Sequence, residues 1–366
     1  MTNPQTPIVR PGGRIGILGG GQLARMISLA ATQLGVKTHV FSDTDASPVA
    51  NCAQITVAQY DDQSALEKFA SQVDVITYEF ENVPASTLEI LATTGVPISP
   101  GQRALATAQD RLIEKDFIRS IGASTAPYAT VNDAPSLRAA LNKIGTPAIL
   151  KTRRFGYDGK GQVRFEADQK ITERIIEDAL SDIARAPAIL EGFVPFEREF
   201  SIIGARNPHG QTAFFEPAVN EHRSGILHTS TLPANLPSKT VRQGESIVER
   251  MLTALDYVGV IGVEFFELGS GEIVVNEFAP RVHNSGHWTQ DAAACSQFEQ
   301  HVRAICGWPL GDTTRFADVQ MINLIGDDVN AWHDYVGVPN NVLHLYGKTD
   351  ARPGRKMGHV NRLDFS

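Results

Sequence analysis

Two stretches of this chain bring together residue types that do chemistry. The first is Pro147-Ala148-Ile149-Leu150-Lys151, an apolar run ending in a lysine. A lysine so placed is semi-buried and needs an anionic partner, which favours phosphate binding over a surface role. A loop follows at once: Arg153, Arg154, Phe155, Gly156, Tyr157, Asp158, Gly159, Lys160, Gly161 and Gln162. Its spacing is not that of a Walker loop, yet glycines flanked by cations suit closure over phosphates. The second stretch is Val260–Leu268 and Glu272–Phe278, two apolar runs around Gly269-Ser270-Gly271, which read as a β-hairpin. With the loop centred on Ser270 and Gly271, Glu264 faces Glu277. Side chains so paired sit about 4.5–5.5 Å apart, where like charges repel. A divalent cation would turn that repulsion into ligation, with phosphate oxygens completing the shell. The other reading is a register shifted by one, with one glutamate in solvent. Beyond the second run, Pro280-Arg281-Val282-His283-Asn284-Ser285-Gly286-His287 adds a cation, imidazoles and an amide.

The elements that must carry these residues can be read from periodicity. Arg14–Gly19, Val36–Phe41, Gln54–Ala58, Val73–Tyr78 and Val96–Ile98 read as strands. Gln22–Gly35, Gln63–Ala70 and Ala85–Thr93 read as helices. This alternation predicts a parallel sheet covered on both faces over residues 1 to about 104. Its first turn, Gly19-Gly20-Gly21-Gln22-Leu23-Ala24, fits a glycine dinucleotide motif, and Asp43 lies where a ribose-binding acid would sit. A helix N-terminus receives a phosphorylated substrate equally well. Tyr78-Glu79-Phe80-Glu81 ends a strand at the same edge, either as ligand contacts or as a solvated strand end. Further helices are expected at Ala104–Ile121, carrying Arg111 and Lys115, and at Ser136–Ile144, Val241–Leu255 and Gln290–Cys306. The second half reads as α+β: strands at Ala188–Glu191, Thr212–Glu216, Gly225–Thr229, Asp318–Leu324 and Asn341–Tyr346, another opening at Glu197, and Asn220, Glu221 and His222 in a loop. The tail, with Lys348, Arg352, Arg355 and Lys356, is a solvated charged end or a phosphate clamp.

Composition narrows the class. The chain has 366 residues, 42% hydrophobic and 20% charged, with net charge −8. This is a globular chain of two or three domains and no general nucleic-acid binder. No apolar run reaches the roughly 18 residues of a membrane helix, and the first residues lack a secretory apolar region. Cys52, Cys295 and Cys306 show no metal-binding spacing, so reduced thiols and a cytoplasmic location are expected.

Taken together, GILGGGQLARM, YEFENV, KTRRFGYDGKGQ, ILEGFVPFEREFS, VEFF…VNEFAPRVHNSGHWT and YGKTDARPGRKMGHV make the whole chain resemble the N5-carboxyaminoimidazole ribonucleotide synthetase family of the ATP-grasp superfamily. The resemblance implies an α/β plus α+β architecture. A pre-ATP-grasp domain would span 1–104 and an ATP-grasp domain 105–305, with a lid at about 130–195. A mixed C-terminal segment, 306–366, would complete the substrate site. It implies a homodimer acting on 5-aminoimidazole ribonucleotide and bicarbonate with ATP and two Mg²⁺ ions. Arg111 and Lys151 would contact the ATP phosphates. Gly156, Tyr157, Asp158, Gly159, Lys160, Gly161 and Gln162 would fold over them. Glu191, Gly192, Phe193 and Val194 would run along the adenine edge with backbone hydrogen bonds, Glu199 would hold the ribose, and His222 would lie near the nucleotide. Glu264 and Glu277, with Asn276 alongside, would carry Mg²⁺. Tyr157, Asp158, Arg281, His283 and Asn284 would surround bicarbonate and the amine. Gln22, Leu23 and Glu79 would meet the imidazole ribonucleotide, and Lys348, Arg355 and Lys356 its phosphate. A nicotinamide dehydrogenase, a non-catalytic nucleotide sensor and a formate-dependent transformylase are the competing readings.

Overall fold

The computed structural model describes residues 8–45, 48–156 and 161–365. The first sheet is parallel, with β1 (Arg14–Leu18), β2 (Lys37–Ser42), β3 (Gln54–Val57) and β4 (Val75–Tyr78) in the order β3-β2-β1-β4. Helices α1 (Gln22–Gln33), α2 (Gln63–Ala70) and α3 (Ala85–Ala92) connect and cover it. The Leu23, Met26, Ile27 and Ala30 stripe of α1 is buried, as its 3.6-residue spacing requires. That stripe joins a core that also contains Val260, Trp288, Phe298 and Val302 from far downstream. Val96–Ile98 makes only a single bridge, Ile98 to Ile76, rather than a strand. Pro97 has no N–H to give a ladder.

The helix expected over Ala104–Ile121 is two helices, α4 (Gln102–Ala108) and α5 (Arg111–Ser120). Asp110 breaks it. Its extended backbone lets the carboxylate cap α5 by accepting from Leu112 N at 3.1 Å. The same carboxylate accepts two bonds from the Arg153 guanidinium, at 2.9 and 2.7 Å.

A small antiparallel sheet follows: β5 (Tyr128–Val131), β6 (Ala148–Thr152), β7 (Gln162–Phe165) and β8 (Ala188–Gly192), ordered β5-β8-β6-β7. Helices α6 (Ala134–Ile144) and α7 (Glu173–Asp182) close a separate core over it, with Leu137, Leu141, Ile176 and Leu180 buried.

The remaining strands form one nine-stranded sheet. They are β9 (Phe196–Arg206), β10 (Thr212–Phe214), β11 (Ala218–Arg223), β12 (Ile226–Leu232), β13 (Gly259–Leu268), β14 (Ile273–Ala279), β15 (Asp318–Ile325), β16 (Asn341–Leu345) and β17 (Lys356–Asp364). Their order is β14-β13-β9-β11-β12-β15-β17-β16, with β10 paired to β9, so β14 is an edge strand. Helix α8 (Ser238–Ala254) buries Ile247, Val248 and Met251 against one face. Asn220, Glu221 and His222, expected in a loop, belong to β11. The helix expected over Gln290–Cys306 is α9 (Thr289–Ala292) and α10 (Gln297–Ile305). Ala293 bridges to Arg315, and Ser296 starts afresh by capping Glu299 N at 3.1 Å. Strand β17 was not anticipated. Its buried positions include His359 and Asn361, so the apolar alternation that marks a strand is absent. Among the described residues no helix is long and apolar enough to cross a membrane.

Candidate active site

The hairpin β13–β14 sets the site through an irregularity. Near the loop, Phe266 pairs with Val274 and Phe265 with Val275, so the turn is centred on Ser270. Continued regularly, that register would put Glu264 opposite Asn276 and send Glu277 to the other face. Instead the register shifts between Glu264 and Phe265, and Glu264 pairs with Glu277. Asn276 is the extra residue of a β-bulge. Both Asn276 and Glu277 now line the cleft that Glu264 lines. Asn276 Nδ2 donates to Glu264 Oε2 at 3.4 Å.

Charge in this corner is unbalanced. Arg111 Nη1 donates to Glu277 Oε2 at 3.0 Å. Burial alone would raise the Glu277 carboxyl, but the Arg111 charge overcomes it and holds the group below its ordinary range. Glu264 has no such cation among the described residues: burial and the Glu277 charge push its pKa up. His283 Nε2 lies 3.5 Å from Glu264 Oε1. Burial first, then the Arg281 charge, takes the His283 pKa down to about 3, so the ring is neutral. Its Nδ1 accepts from Ser285 N at 3.4 Å, which leaves Nε2–H facing Glu264. Two carboxylates, an amide and one arginine leave a negative remainder that a hard dication fits. No cluster of three His, Cys, Asp or Glu surrounds one point among the described residues. An ion here would therefore need phosphate or water for the rest of its shell, which is how Mg²⁺ commonly binds.

The cleft, about 720 Å³, takes its walls from the two antiparallel sheets, from α1 and α5, and from the loop after β4. Lys151, the candidate phosphate ligand, donates from Nζ to Glu191 Oε2 at 2.9 Å, so the anion this half-buried lysine needs is already in the protein. Lys115 Nζ approaches the same oxygen at 3.8 Å. Burial works against the Glu191 charge, yet the two lysines bring its pKa down to about 2. Glu191 Oε1 is buried without a partner among the described residues. The expected backbone contacts of residues 191–194 are narrower than the sequence implied. Gly192 N and Phe193 N are already bonded to Pro127 O and Pro147 O, because β8 is a ladder strand here. Val194 lines the cleft just past the strand. The Phe196 and Phe266 rings stack at 4.6 Å on the same wall. His222 Nδ1 lies 2.6 Å from Glu199 Oε2. A register shift between Glu221 and His222 lies at the point where His222 meets the cleft. Burial opposes a proton on His222, but the Glu199 hydrogen bond and the Glu264 charge raise its pKa. Gly156, Gly161 and Gln162 line the cleft as well. Tyr157, Asp158, Gly159 and Lys160 lie outside the described residues.

At the opposite end Arg281 Nη2 pairs with Glu81 Oε1 at 2.5 Å. Arg281 Nε and both polar atoms of the Asn284 side chain are buried with no partner among the described residues. Unsatisfied buried donors and acceptors are rare, and a cleft that collects them is built for a polar ligand. Gln297 holds the loop that presents them: its Oε1 accepts from His283 N at 2.9 Å and its Nε2 donates to His283 O at 2.7 Å. Glu79 accepts from Gly21 N at 3.0 Å. A carboxylate thus occupies the donor that a dinucleotide pyrophosphate would use, which argues against the dehydrogenase reading. Gln22, Leu23 and Lys356 line the cleft; Glu79, Lys348 and Arg355 do not. Lys348 donates to Lys356 O at 2.7 Å and its charge bears on Glu79, while Arg355 donates to Asp350 O at 2.8 Å. Those three are therefore one step back from the cavity, not in its wall.

Sequence reasoning missed Glu114, Asp110 and Gln297 as members or supports of the site. For Glu114 a signal existed: Arg111, Glu114 and Lys115 stand at i, i+3 and i+4 of one helix, a charged stripe on its buried side.

Comparison with known proteins agrees with this geometry along the chain. A ribonucleotide synthetase preATP-grasp domain matches residues 13–109, an ATP-grasp domain 116–298, and a phosphoribosylaminoimidazole carboxylase C-terminal domain 320–366. The N5-carboxyaminoimidazole ribonucleotide synthase of Brucella melitensis is 51% identical over 356 residues, covering 97% of each chain. That of Pseudomonas aeruginosa is 44% identical over 349 residues, covering 95% of this chain and 93% of its own. The solved ADP complex of an N5-carboxyaminoimidazole ribonucleotide synthetase superposes with a TM-score of 0.93 at 41% identity, over 99% of this chain and 95% of that one. The Aspergillus clavatus synthase, solved with ADP and 5-aminoimidazole ribonucleotide, superposes at 0.89 with 28% identity, over 97% and 95%. By sequence, fold and the arrangement of its cleft, this chain belongs to the N5-carboxyaminoimidazole ribonucleotide synthetase family of ATP-grasp ligases.

Proposed function

We propose that this chain joins bicarbonate to the exocyclic amine of 5-aminoimidazole ribonucleotide at the expense of ATP, as a step of purine synthesis. The observation that carries the reading is one cleft with two contrasting ends. One holds Lys151, Arg111 and the Glu264–Asn276–Glu277 corner; the other holds the unsatisfied Arg281 and Asn284 groups. Its relatives include a synthase solved with ADP and 5-aminoimidazole ribonucleotide together.

The chemistry follows from charge. Bicarbonate is a weak nucleophile, and its carbon is a poor electrophile. A bicarbonate oxygen attacks the γ-phosphorus of ATP, ADP leaves, and the resulting carboxyphosphate has phosphate as a good leaving group. The amine nitrogen then takes the carboxyl carbon, either by direct attack on carboxyphosphate or from carbon dioxide released in place; phosphate departs, and the nitrogen gives up a proton. Mg²⁺, held by Glu264, Glu277 and Asn276, would supply charge neutralisation on the transferred phosphoryl group. Lys151 and Arg111 exchange their glutamate partners for phosphate oxygens. Glu191 Oε1 accepts a hydrogen bond from the adenine amine, and Glu199 holds the ribose. Arg281 and Asn284 donate to the oxyanions, each such donor being worth on the order of 3–4 kcal/mol. Neutral His283 orients Glu264 through Nε2–H. Lys356 attracts the ribonucleotide phosphate, with Lys348 and Arg355 adding positive potential behind it. We read the active assembly as a cytoplasmic homodimer, on the family resemblance alone.

The deciding assay offers purified protein ATP and Mg²⁺ with either 5-aminoimidazole ribonucleotide plus bicarbonate or glycinamide ribonucleotide plus formate. Phosphate release with the first pair only is expected. Release with the second pair, or release independent of either amine, would replace this reading.

A further inference from the structure

Strand β14 is the edge of the large sheet, and among the described residues no strand lies beyond it. Its outward backbone groups still find partners. Val275 N donates to Ser124 O at 2.9 Å. Lys115 Nζ donates to Asn276 O at 2.5 Å. Phe278 N donates to Glu114 Oε1 at 2.8 Å. Val275 and Phe278 are three apart yet both direct N–H away from the sheet, which a regular strand forbids and the bulge at Asn276 explains. Helix α5 therefore grips three successive residues: Asn276 through Lys115, Glu277 through Arg111, and Phe278 through Glu114. The gripping residues share one helix face, although the partners are 161 to 166 residues apart in sequence.

Glu114 and Lys115 are 2% and 1% exposed. Charged side chains are almost never so buried unless they are fully engaged. Both engage main-chain atoms of the bulge, and a bulge is where ladder bonds fail to hold the strand. We propose that Glu114 and Lys115 are positioning residues of the metal–phosphate corner: they pin the bulged edge so that Asn276 and Glu277 face the cleft together. The inference rests on the Mg²⁺–nucleotide reading above. It concerns the two residues behind the ligands rather than the ligands.

The test is ADP binding by calorimetry, with and without Mg²⁺, for wild type, Glu114→Leu and Glu114→Gln. Glutamine keeps an oxygen for Phe278 N; leucine does not. Glu114→Leu is expected to lose about tenfold of the Mg²⁺-dependent gain in affinity, the scale on which groups behind metal ligands act. Its metal-free ADP affinity should stay within about threefold of wild type, and Glu114→Gln should keep the gain to the same margin. A merely structural role would lower the melting temperature and leave the Mg²⁺ ratio alone, which overturns the proposal. So does a Glu114→Gln variant as impaired as Glu114→Leu. Should Glu114→Leu not fold, Lys115→Met carries the same comparison, because Glu191 retains Lys151 as a partner. Wild-type protein that binds ADP equally with and without Mg²⁺ removes the metal reading itself, and the pin's purpose with it. That failure is told apart from the others because it needs no variant.

Discussion

At the nucleotide end of the cleft the described cations already hold anions: Arg111 with Glu277, Lys151 and Lys115 with Glu191. At the reacting end Arg281 also holds an anion, Glu81, but its Nε and both polar atoms of the Asn284 side chain are buried with no partner among the described residues. The first end can stay folded without ligand and needs only an exchange of partners when a polyphosphate arrives. The second end stands desolvated in advance, at a cost of about 1–3 kcal/mol for each unmet group. Preformed donors of that kind act where charge appears late in a reaction. The comparison separates binding by exchange from catalysis by readiness, within one cavity.

The largest effect should come from breaking the exchange end. Glu277→Gln keeps an acceptor for Arg111 and removes a charge the metal needs. Turnover should fall by on the order of a thousandfold while the melting temperature moves little. Phosphate release and a thermal melt check both halves, and undiminished activity at saturating Mg²⁺ would remove Glu277 from the site. At the ready end, Asn284→Leu replaces two unmet polar atoms with an apolar group of similar size. Turnover should drop roughly a hundredfold, yet the ligand-free protein should melt at the same or a higher temperature. A loss of stability would show that Asn284 has a structural partner after all. Smaller again is Lys356→Ala, expected to raise KM for the ribonucleotide about tenfold with ADP affinity unchanged. Steady-state kinetics against both substrates would sharpen the boundary between the two ends.

The last prediction concerns the seam that holds the ends in register. His301 is fully buried between Thr77 of the first sheet and Val260 of the large one. Val260 N donates to its Nδ1 at 3.1 Å, so the ring is neutral with its proton on Nε2, 2.9 Å from Thr77 Oγ1. Burial takes its pKa down from 6.5 to about 4. The unfolded chain therefore binds the proton first, and the His301 contribution is complete above pH 6.5 and lost as pH falls through about 4. A His301→Gln variant should show a shallower decline in denaturant stability over that window than wild type. Parallel declines would assign the acid sensitivity elsewhere.

Much of this was legible in the residues. Period and turn chemistry located β1, α1, β13 and β14: α1 has a one-sided apolar stripe, and the three strands are largely apolar runs beside glycine turns. The pairing of Glu264 with Glu277 was reached by centring the loop one half-residue too far along, an offset that the bulge happens to restore. Nothing local announces that bulge; it is fixed by α5 from more than a hundred and sixty residues away. The break at Asp110 was hidden because the apolar spacing continues through it, and only the distant Arg153 explains the carboxylate there. Strand β17 was hidden for the converse reason, with polar residues filling the interior where hydrophobic ones are the usual signal. The roles given to Tyr157, Asp158, Gly159 and Lys160 remain readings of the sequence.

One inserted position in β14 also bears on how this protein can change over time. Neighbouring side chains of a strand ordinarily look to opposite sides, so counting, not chemistry, decides whether Asn276 and Glu277 can cooperate. A codon lost at 276 would keep a glutamate across from Glu264 but forfeit the amide. A codon gained between Asn276 and the turn would shift both residues against the helix that grips them. The segment should therefore accept exchanges among its hydrophobic residues far more readily than any alteration in its length.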